Sequence, residues 1–413
     1  MNRVELMSPA GSFESLQAAI QGGADAVYFG IEQLNMRARS SNNFSIDDLA
    51  SIHELCANKK IKTYLTLNTI LYDHDISLMK RIINSAKDNH IDAIIASDQS
   101  VLVYAKKIKI PVHLSTQANI SNIESVLFYS EYVDAIVLAR ELSLSQVTAI
   151  VKQIKKQNIK GPSGELMKIE IFAHGALCMA ISGKCYMSLH TNFASANRGA
   201  CIQNCRRSYI VKDKEEEIEF EIDNEYIMSS KDLCTIDFLD KIISTGVNIL
   251  KIEGRGRSAD YVYTTTKCYR EAIDAYFKGS YNKESIISWK KQLETVFNRG
   301  FWSGYYLGKK MGEWTDEYGS KATLRKKYIG KGLKYYDKKK AAEFKLEAHQ
   351  LIKGDSVLIT GPTTGVISVQ VEELRVDNSP VLSVQKGNIF TMSLKEKIRP
   401  SDKLYKVEEK NII

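Results

Sequence analysis

No apolar run in this 413-residue chain approaches the roughly 18–20 residues that span a bilayer, so a helical membrane protein is not expected. Neither HExxH nor GxSxG occurs, which removes a zinc-peptidase helix and a serine-hydrolase elbow. SPAGSF, after the first strand-like run, is not GxGxxG, so the fingerprint of a dinucleotide-binding doubly wound sheet is missing. Histidine is scarce, at seven, and only His113 and His174 fall on predicted strands. Neither has an evident nucleophile partner; a His174–Cys178 pair fits metal coordination and its support at least as well. The start, MNRVELMSPAG, carries Arg3 and Glu5 and passes directly into a strand-like pattern, unlike a signal peptide. A cytoplasmic protein is expected. There thiols stay reduced, so clustered cysteines point to metal or redox work more than to disulfides.

What is present is an ordinary globular composition, 44% hydrophobic and 26% charged, with a formal net charge of +8. That charge allows a polyanionic partner without requiring one, and a Lys-rich bias with six prolines fits an AT-rich genome as readily. A short apolar run followed by a helix-like run recurs: VELMSPAG, AVYFGI, KTYLTLN, DAIIASD, PVHLSTQ, DAIVLAR, KIEIFAHG and NILKIEGRGR are the strand candidates. They lack strict alternation, as expected of strands buried on both faces of a parallel sheet. Eight such units predict an α/β fold, a (β/α)8 TIM-like barrel over residues 1–280. A cysteine-bearing insertion at 175–235 follows the seventh strand. Within it SYIVKDKEEEIEFEID predicts a hairpin and KDLCTIDFLDKIISTG the seventh helix, closed by Gly246. A helical and aromatic extension covers 281–325, and alternating runs with Gly and Asp turns predict a small antiparallel β-barrel-like domain at 326–413.

In such a barrel the loops after the strands build the active face. Asn68, Asp98, Ser115, Gln117, Arg140, Glu141 and His174 stand at strand ends, and Glu253, Arg255 and Arg257 follow the eighth strand. Singly, each is as readily a helix cap. Together they describe a polar cup for a small anion, with Arg255 and Arg257 suited to carboxylate or phosphate through their forked guanidinium. His174, Glu253 and Asp98 are the candidate catalytic groups; Asn68, Ser115, Gln117, Arg140, Arg255 and Arg257 are the candidate substrate-binding ones.

The cysteines carry the sharpest signal. Cys178, Cys185, Cys201 and Cys205 fall within 28 residues, and Cys234 returns later; Cys56 and Cys268 sit in helix-like segments and read as core. Four thiolates hold zinc or an iron–sulfur cluster, and the spacing leaves the two level; reduced structural cysteines are the bland alternative. RKKYIGKGLKYYDKKK, residues 325–340, interleaves basic and aromatic residues, which suits RNA as well as it suits a solvated linker.

EIFAHGALCMAISGKCYMS resembles the signature of the U32 peptidase (collagenase-like) family, met at Glu170, Phe172, Gly175, Ala176, Cys178, Gly183, Cys185, Met187 and Ser188. The likeness extends from SPAG and GADAVYFG through STQ, NRGAC and CRR to KIEGRGRS and FNRGFWSGYY. The resemblance implies an enzyme of the branch that hydroxylates RNA with a [4Fe-4S] cluster, nearest to the prephenate-dependent tRNA uridine hydroxylation proteins that make 5-hydroxyuridine at the wobble position. A related branch hydroxylates a ribosomal RNA cytidine. It implies cluster ligands Cys178, Cys185, Cys201 and Cys234, with Cys205 spare; a second branch pattern puts Cys205 in place of Cys234. The implied partners are tRNA or rRNA, a small anion such as prephenate, and a protein partner if the chain is the cluster-bearing member of a complex. The family name implies proteolysis instead.

Overall fold

The computed structural model describes residues 3–39, 43–209 and 228–410. Strands β1 (Glu5–Ala10), β2 (Ala26–Phe29), β3 (Lys62–Leu67), β4 (Ala93–Ala96), β5 (Val112–Leu114), β6 (Ala135–Val137) and β7 (Lys168–Ala176) run parallel, each paired with the next. After β8 (Asp232–Cys234), β9 (Ile249–Ile252) pairs in parallel with both β7 and β1 and closes the eight-stranded parallel barrel. The strands are buried nearly end to end, which is why their sequences do not alternate.

Helices α1 (Phe13–Gln21), α2 (Leu49–Ala57), α3 (Ile76–Asp88), α4 (Gln99–Ile108), α5 (Ile123–Tyr129) and α6 (Leu144–Gln157) follow the first six strands. Their apolar stripes set their orientation: α3 buries Met79, Ile82, Ile83 and Ala86, the three-and-four spacing of one helix face. Ser12 and Ser143 start α1 and α6 with capping boxes, and Asp98 caps α4. Helix α7 (Met187–Asn192) lies in the insertion, and α8 (Leu239–Ser244), α9 (Ala259–Lys278) and α10 (Lys283–Thr295) complete the outer layer.

The segment KDLCTIDFLDKIISTG departs from expectation. Its first part is strand β8, antiparallel to the extended end of β7 through His174↔Cys234 and Ala176↔Asp232, and the helix shrinks to α8. The long-range pairing outweighs the helical spacing of its apolar residues. Phe301–Trp302 adds a further short parallel strand against β8. The predicted hairpin falls almost wholly on residues outside the described ones.

The C-terminal module is an eight-stranded antiparallel sheet with its own core around Ile329, Phe344, Ile359 and Phe390. The basic stretch at 325–340 is not a linker. Leu324–Tyr336 is an interior strand of that sheet, and Lys326, Lys327 and Lys331 are tied to Asp260, Glu408 and Glu347. The module docks on α1, where Gln21 donates to the Thr364 carbonyl at 2.9 Å and accepts from the Val366 amide at 2.9 Å. Among the described residues no helix is long and apolar enough to cross a membrane.

Candidate active site

The loops at the C-terminal ends of the strands enclose a cavity of about 580 Å³. Of the residues expected at this rim, Asn68, Ser115, Gln117, Arg140, Glu253, Arg255, Arg257, Cys178 and Cys201 line it. Asp98 does not. Its carboxylate accepts from the Ser100 amide and hydroxyl at 3.0 and 2.6 Å and from the Leu71 amide at 3.0 Å, so it fastens α4 and the loop after β3. Asn68 and Ser115 act as a pair, Nδ2 donating to Oγ at 3.2 Å.

The charge of the lining is lopsided: seven arginines and Lys251 face one carboxylate, Glu253. Arg37 donates to Glu253 Oε1 at 3.1 Å, and Tyr28 donates to Oε2 at 3.1 Å. Burial alone would raise the Glu253 carboxyl; Arg37, Arg140 and Arg255 instead hold it at about 2. Arg255, 6% exposed, is held by Asn35 Oδ1 at 2.9 Å and Thr66 Oγ1 at 2.8 Å. Arg140 stacks 3.8 Å from the Phe172 ring and donates to the Ala176 carbonyl, while its buried Nε has no hydrogen-bond partner among the described residues. Beneath them lies a buried ionic pair: Lys251 meets Glu170 at 2.8 Å, and the other Glu170 oxygen is 3.1 Å from His113 Nδ1. The signature glutamate thus neutralises the barrel floor.

A second arginine group forms the wall. Arg299 and Arg257 stand 3.4 and 3.9 Å from the buried Asp232 of β8, and Arg257 stacks 3.6 Å over Phe297. Arg206 donates to the Leu177 and Ser230 carbonyls at 2.5 and 2.8 Å. Burial, then the neighbouring Arg299, push the Arg206 guanidinium below its usual range. Cations crowded in a low-dielectric cup favour an anion among them.

The insertion from Cys178 to Cys205 crosses the mouth of the cup. Gly183, at φ +76°, brings it against Gln117: a Cβ there would sit 1.6 Å from Gln117 Oε1. On the far side the Gly199 carbonyl accepts from the Arg39 amide and the Asn197 carbonyl from the Ile70 amide. Burial pushes the Cys205 thiol up; the neighbouring Arg206 opposes this, and Cys178, Cys201 and Cys185 add to it. Cys234 stands apart. It is fully buried in the barrel wall, with Tyr269 Oη 3.9 Å from its sulfur, and burial pushes it up to about 12. Cys205 lines the cup with Cys178 and Cys201, and Cys234 does not. Among the described residues no three Cys, His, Asp or Glu side chains converge on a point where one metal ion would sit. Thiolates are ligands that zinc and an iron–sulfur cluster share, and three of these cysteines, Cys178, Cys201 and Cys205, line the cup.

His174 lies behind the wall. It is 1% exposed, its Nδ1 3.4 Å from Tyr269 Oη, and burial followed by Arg257 lowers it to about 3. Burial favours its neutral form, and it does not line the cup. Sequence reasoning passed over Tyr28, Thr66, Arg37, Arg39 and Lys251 as lining residues. Arg206 and Arg299 were visible only inside CRR and FNRG, as parts of the resemblance.

A model of Peptidase family U32 matches residues 11–316. The chain is 56% identical over 410 residues to a protein named collagenase from Porphyromonas gingivalis strain W83, covering 99% of each. It is 30% identical over 413 residues to tRNA hydroxylation protein P1 of Bacillus subtilis, covering 97% of this chain and 94% of that one. It is 34% identical over 323 residues to the 23S rRNA 5-hydroxycytidine C2501 synthase of Escherichia coli K12, covering 76% of this chain and 46% of that protein.

Proposed function

The chain belongs to Peptidase family U32, and from that membership and its cationic cup we propose an enzyme that hydroxylates a pyrimidine of RNA at the expense of a small polyanionic donor. The finer reading is 5-hydroxyuridine at the tRNA wobble position with prephenate as donor; a ribosomal cytidine is the other RNA target. Relatives named for tRNA and rRNA hydroxylation support RNA as the substrate. The observation that carries the reading is the ratio of eight cations to one carboxylate in a cavity of about 580 Å³, room for a small dicarboxylate and not for a folded chain.

In this reading Arg255 and Arg257 take the donor's carboxylates through bidentate hydrogen bonds, and Arg140, which also lines the cup, adds a third guanidinium. Glu253 stays ionised and, already engaged by Arg37 and Tyr28, orients these groups rather than taking a proton. Asn68, Ser115 and Gln117 supply neutral polar contacts to the remainder. Cys178, Cys185, Cys201 and Cys205 would hold a [4Fe-4S] cluster, which when bound supplies one-electron chemistry next to the wall arginines. The test is mass spectrometry of RNA nucleosides from a deletion strain. Loss of a hydroxylated pyrimidine, restored by the wild-type gene and not by Arg255→Met, supports the reading; an unchanged nucleoside profile sinks it.

Proteolysis is the second reading, favoured by the collagenase name of the 56% identical relative. It requires gelatin cleavage by the pure protein that Cys178→Ala abolishes. His174, the one histidine on the signature strand, contacts Tyr269.

A further inference from the structure

The floor of the cup holds a charged group that anion binding by the arginines leaves unexplained. Lys251 is 4% exposed, the one buried lysine among the described residues. Its Nζ donates to Glu170 Oε1 at 2.8 Å, and the other Glu170 oxygen lies 3.1 Å from His113 Nδ1. Burial would raise the Glu170 carboxyl, but Lys251 and His113 hold it below its usual range, so the resting state is an ion pair. Apolar residues of similar volume often hold a core at least as well as such a pair, so packing alone does not account for it.

Lys251 also lines the cavity. An ammonium has three N–H donors, and among the described residues Glu170 takes the one that is hydrogen-bonded. The Tyr28 ring lies 4.4 Å from Nζ and the Phe172 ring 5.8 Å, and Ile95 and Val137 add apolar lining to the cavity. Arg140 stacks on that same Phe172 ring, so a guanidinium fit for a carboxylate and a primary amine share one aromatic side chain. A lysine desolvated among other cations, beside a carboxylate able to carry its proton, is the arrangement that attacks a carbonyl group.

We propose that Lys251 forms an imine with a carbonyl group of the small anion, which makes the donor an oxo acid whose carboxylate is held by the arginines of the cup. This deepens the reading of the cup as the donor site and rests on it. Glu170 takes a proton from the ammonium, and the freed Nζ adds to the carbonyl carbon as the C=O π bond opens. Two of the nitrogen's protons pass by way of Glu170 to the carbonyl oxygen, which leaves as water. The product is a protonated imine; its positive charge stays beside an ionised Glu170, and no oxidant or reductant is consumed. His113, on the far oxygen, keeps Glu170 aimed at Nζ. The imine draws electrons from the donor's carbon skeleton, which a salt bridge to its carboxylate does not do.

The experiment incubates the full-length protein with phenylpyruvate, an oxo acid, and sodium cyanoborohydride, which reduces an imine to a stable amine, and locates the adduct by peptide mass spectrometry. A single adduct on the peptide that carries Lys251, slowed by excess succinate, a dicarboxylate without an oxo group, supports the proposal. Lys251→Arg keeps the charge and leaves no adduct. The wild-type map locates the bond whether or not that variant folds. No adduct at Lys251, adducts spread over exposed lysines such as Lys62, or labelling indifferent to succinate overturns the proposal. Nucleoside analysis separates its failure from that of the hydroxylation reading. Hydroxylated pyrimidine made by a protein that gives no Lys251 adduct overturns the imine alone. A Lys251 adduct in a protein that makes no hydroxylated pyrimidine supports the imine and overturns the hydroxylation reading.

Discussion

Arg37 Nη2 lies 3.1 Å from Glu253 Oε1, joining the loop after β2 to the loop after β9 across the first strand of the barrel. This contact ties together two arms that arrive from opposite ends of the chain's first 260 residues. Against the burial of Glu253, it is also the strongest of the arginine contacts that lower that carboxyl.

The sign of its pH dependence follows. The Glu253 carboxyl is lowered in the folded state from 4.5 to about 2, so its stabilising contribution is complete above pH 4.5 and is lost as pH falls toward 2. Urea unfolding at stepped pH checks this. The stability difference between wild type and Glu253→Gln narrows by up to roughly 3 kcal/mol across that window.

His174 is expected to stay neutral throughout the physiological range. Its value near 3 means that the imidazole ring resonances show no titration between about pH 8 and 5. A midpoint near 6.5 in the NMR titration would show that the ring is solvated and available for acid–base chemistry.

Arg140 lines the cup, and its Nε has no hydrogen-bond partner among the described residues. Arg140→Met is expected to raise KM for the anionic donor tenfold or more with a smaller change in kcat. Steady-state kinetics across donor concentration reads the split.

Gly183→Ala places a methyl group where Gln117 Oε1 already lies, at a positive φ. A loss of about 1–3 kcal/mol in stability is expected. Gln117→Ala in the same chain relieves the clash and restores part of it, as thermal melts of the single and double variants would show.

The thiols divide into two predicted behaviours. Cys205→Ser lowers the iron and sulfide bound per chain after anaerobic purification, and Cys234→Ser leaves both unchanged, because Cys234 faces Tyr269 inside the wall. Equal loss in both variants would return Cys234 to the ligand set.

The barrel was legible because runs such as AVYF and AIIA are apolar on both faces, a pattern that parallel pairing sets. β8 was not legible. Leu233, Ile236, Leu239 and Ile243 keep a helical spacing, and the protruding end of β7 and the Phe301–Trp302 strand, both remote in sequence, draw Asp232–Cys234 into a strand. Cup residues that directly follow strands, such as Asn68 and Arg140, were found by position. Arg37 and Arg206 lie on longer loops, where an arginine in sequence reads as solvated surface. Cys234 and Cys205 were indistinguishable by spacing, which does not say which way a returning chain faces.

The insertion leaves the barrel at Ala176 and returns at Asp232, residues that face each other in one antiparallel pair. Its two feet are therefore clipped together whatever happens between them, and doubling the tethered length adds only about 0.6 kcal/mol of closure entropy. Evolution can rebuild the canopy above a fixed furnace, changing what is admitted without redesigning the hearth.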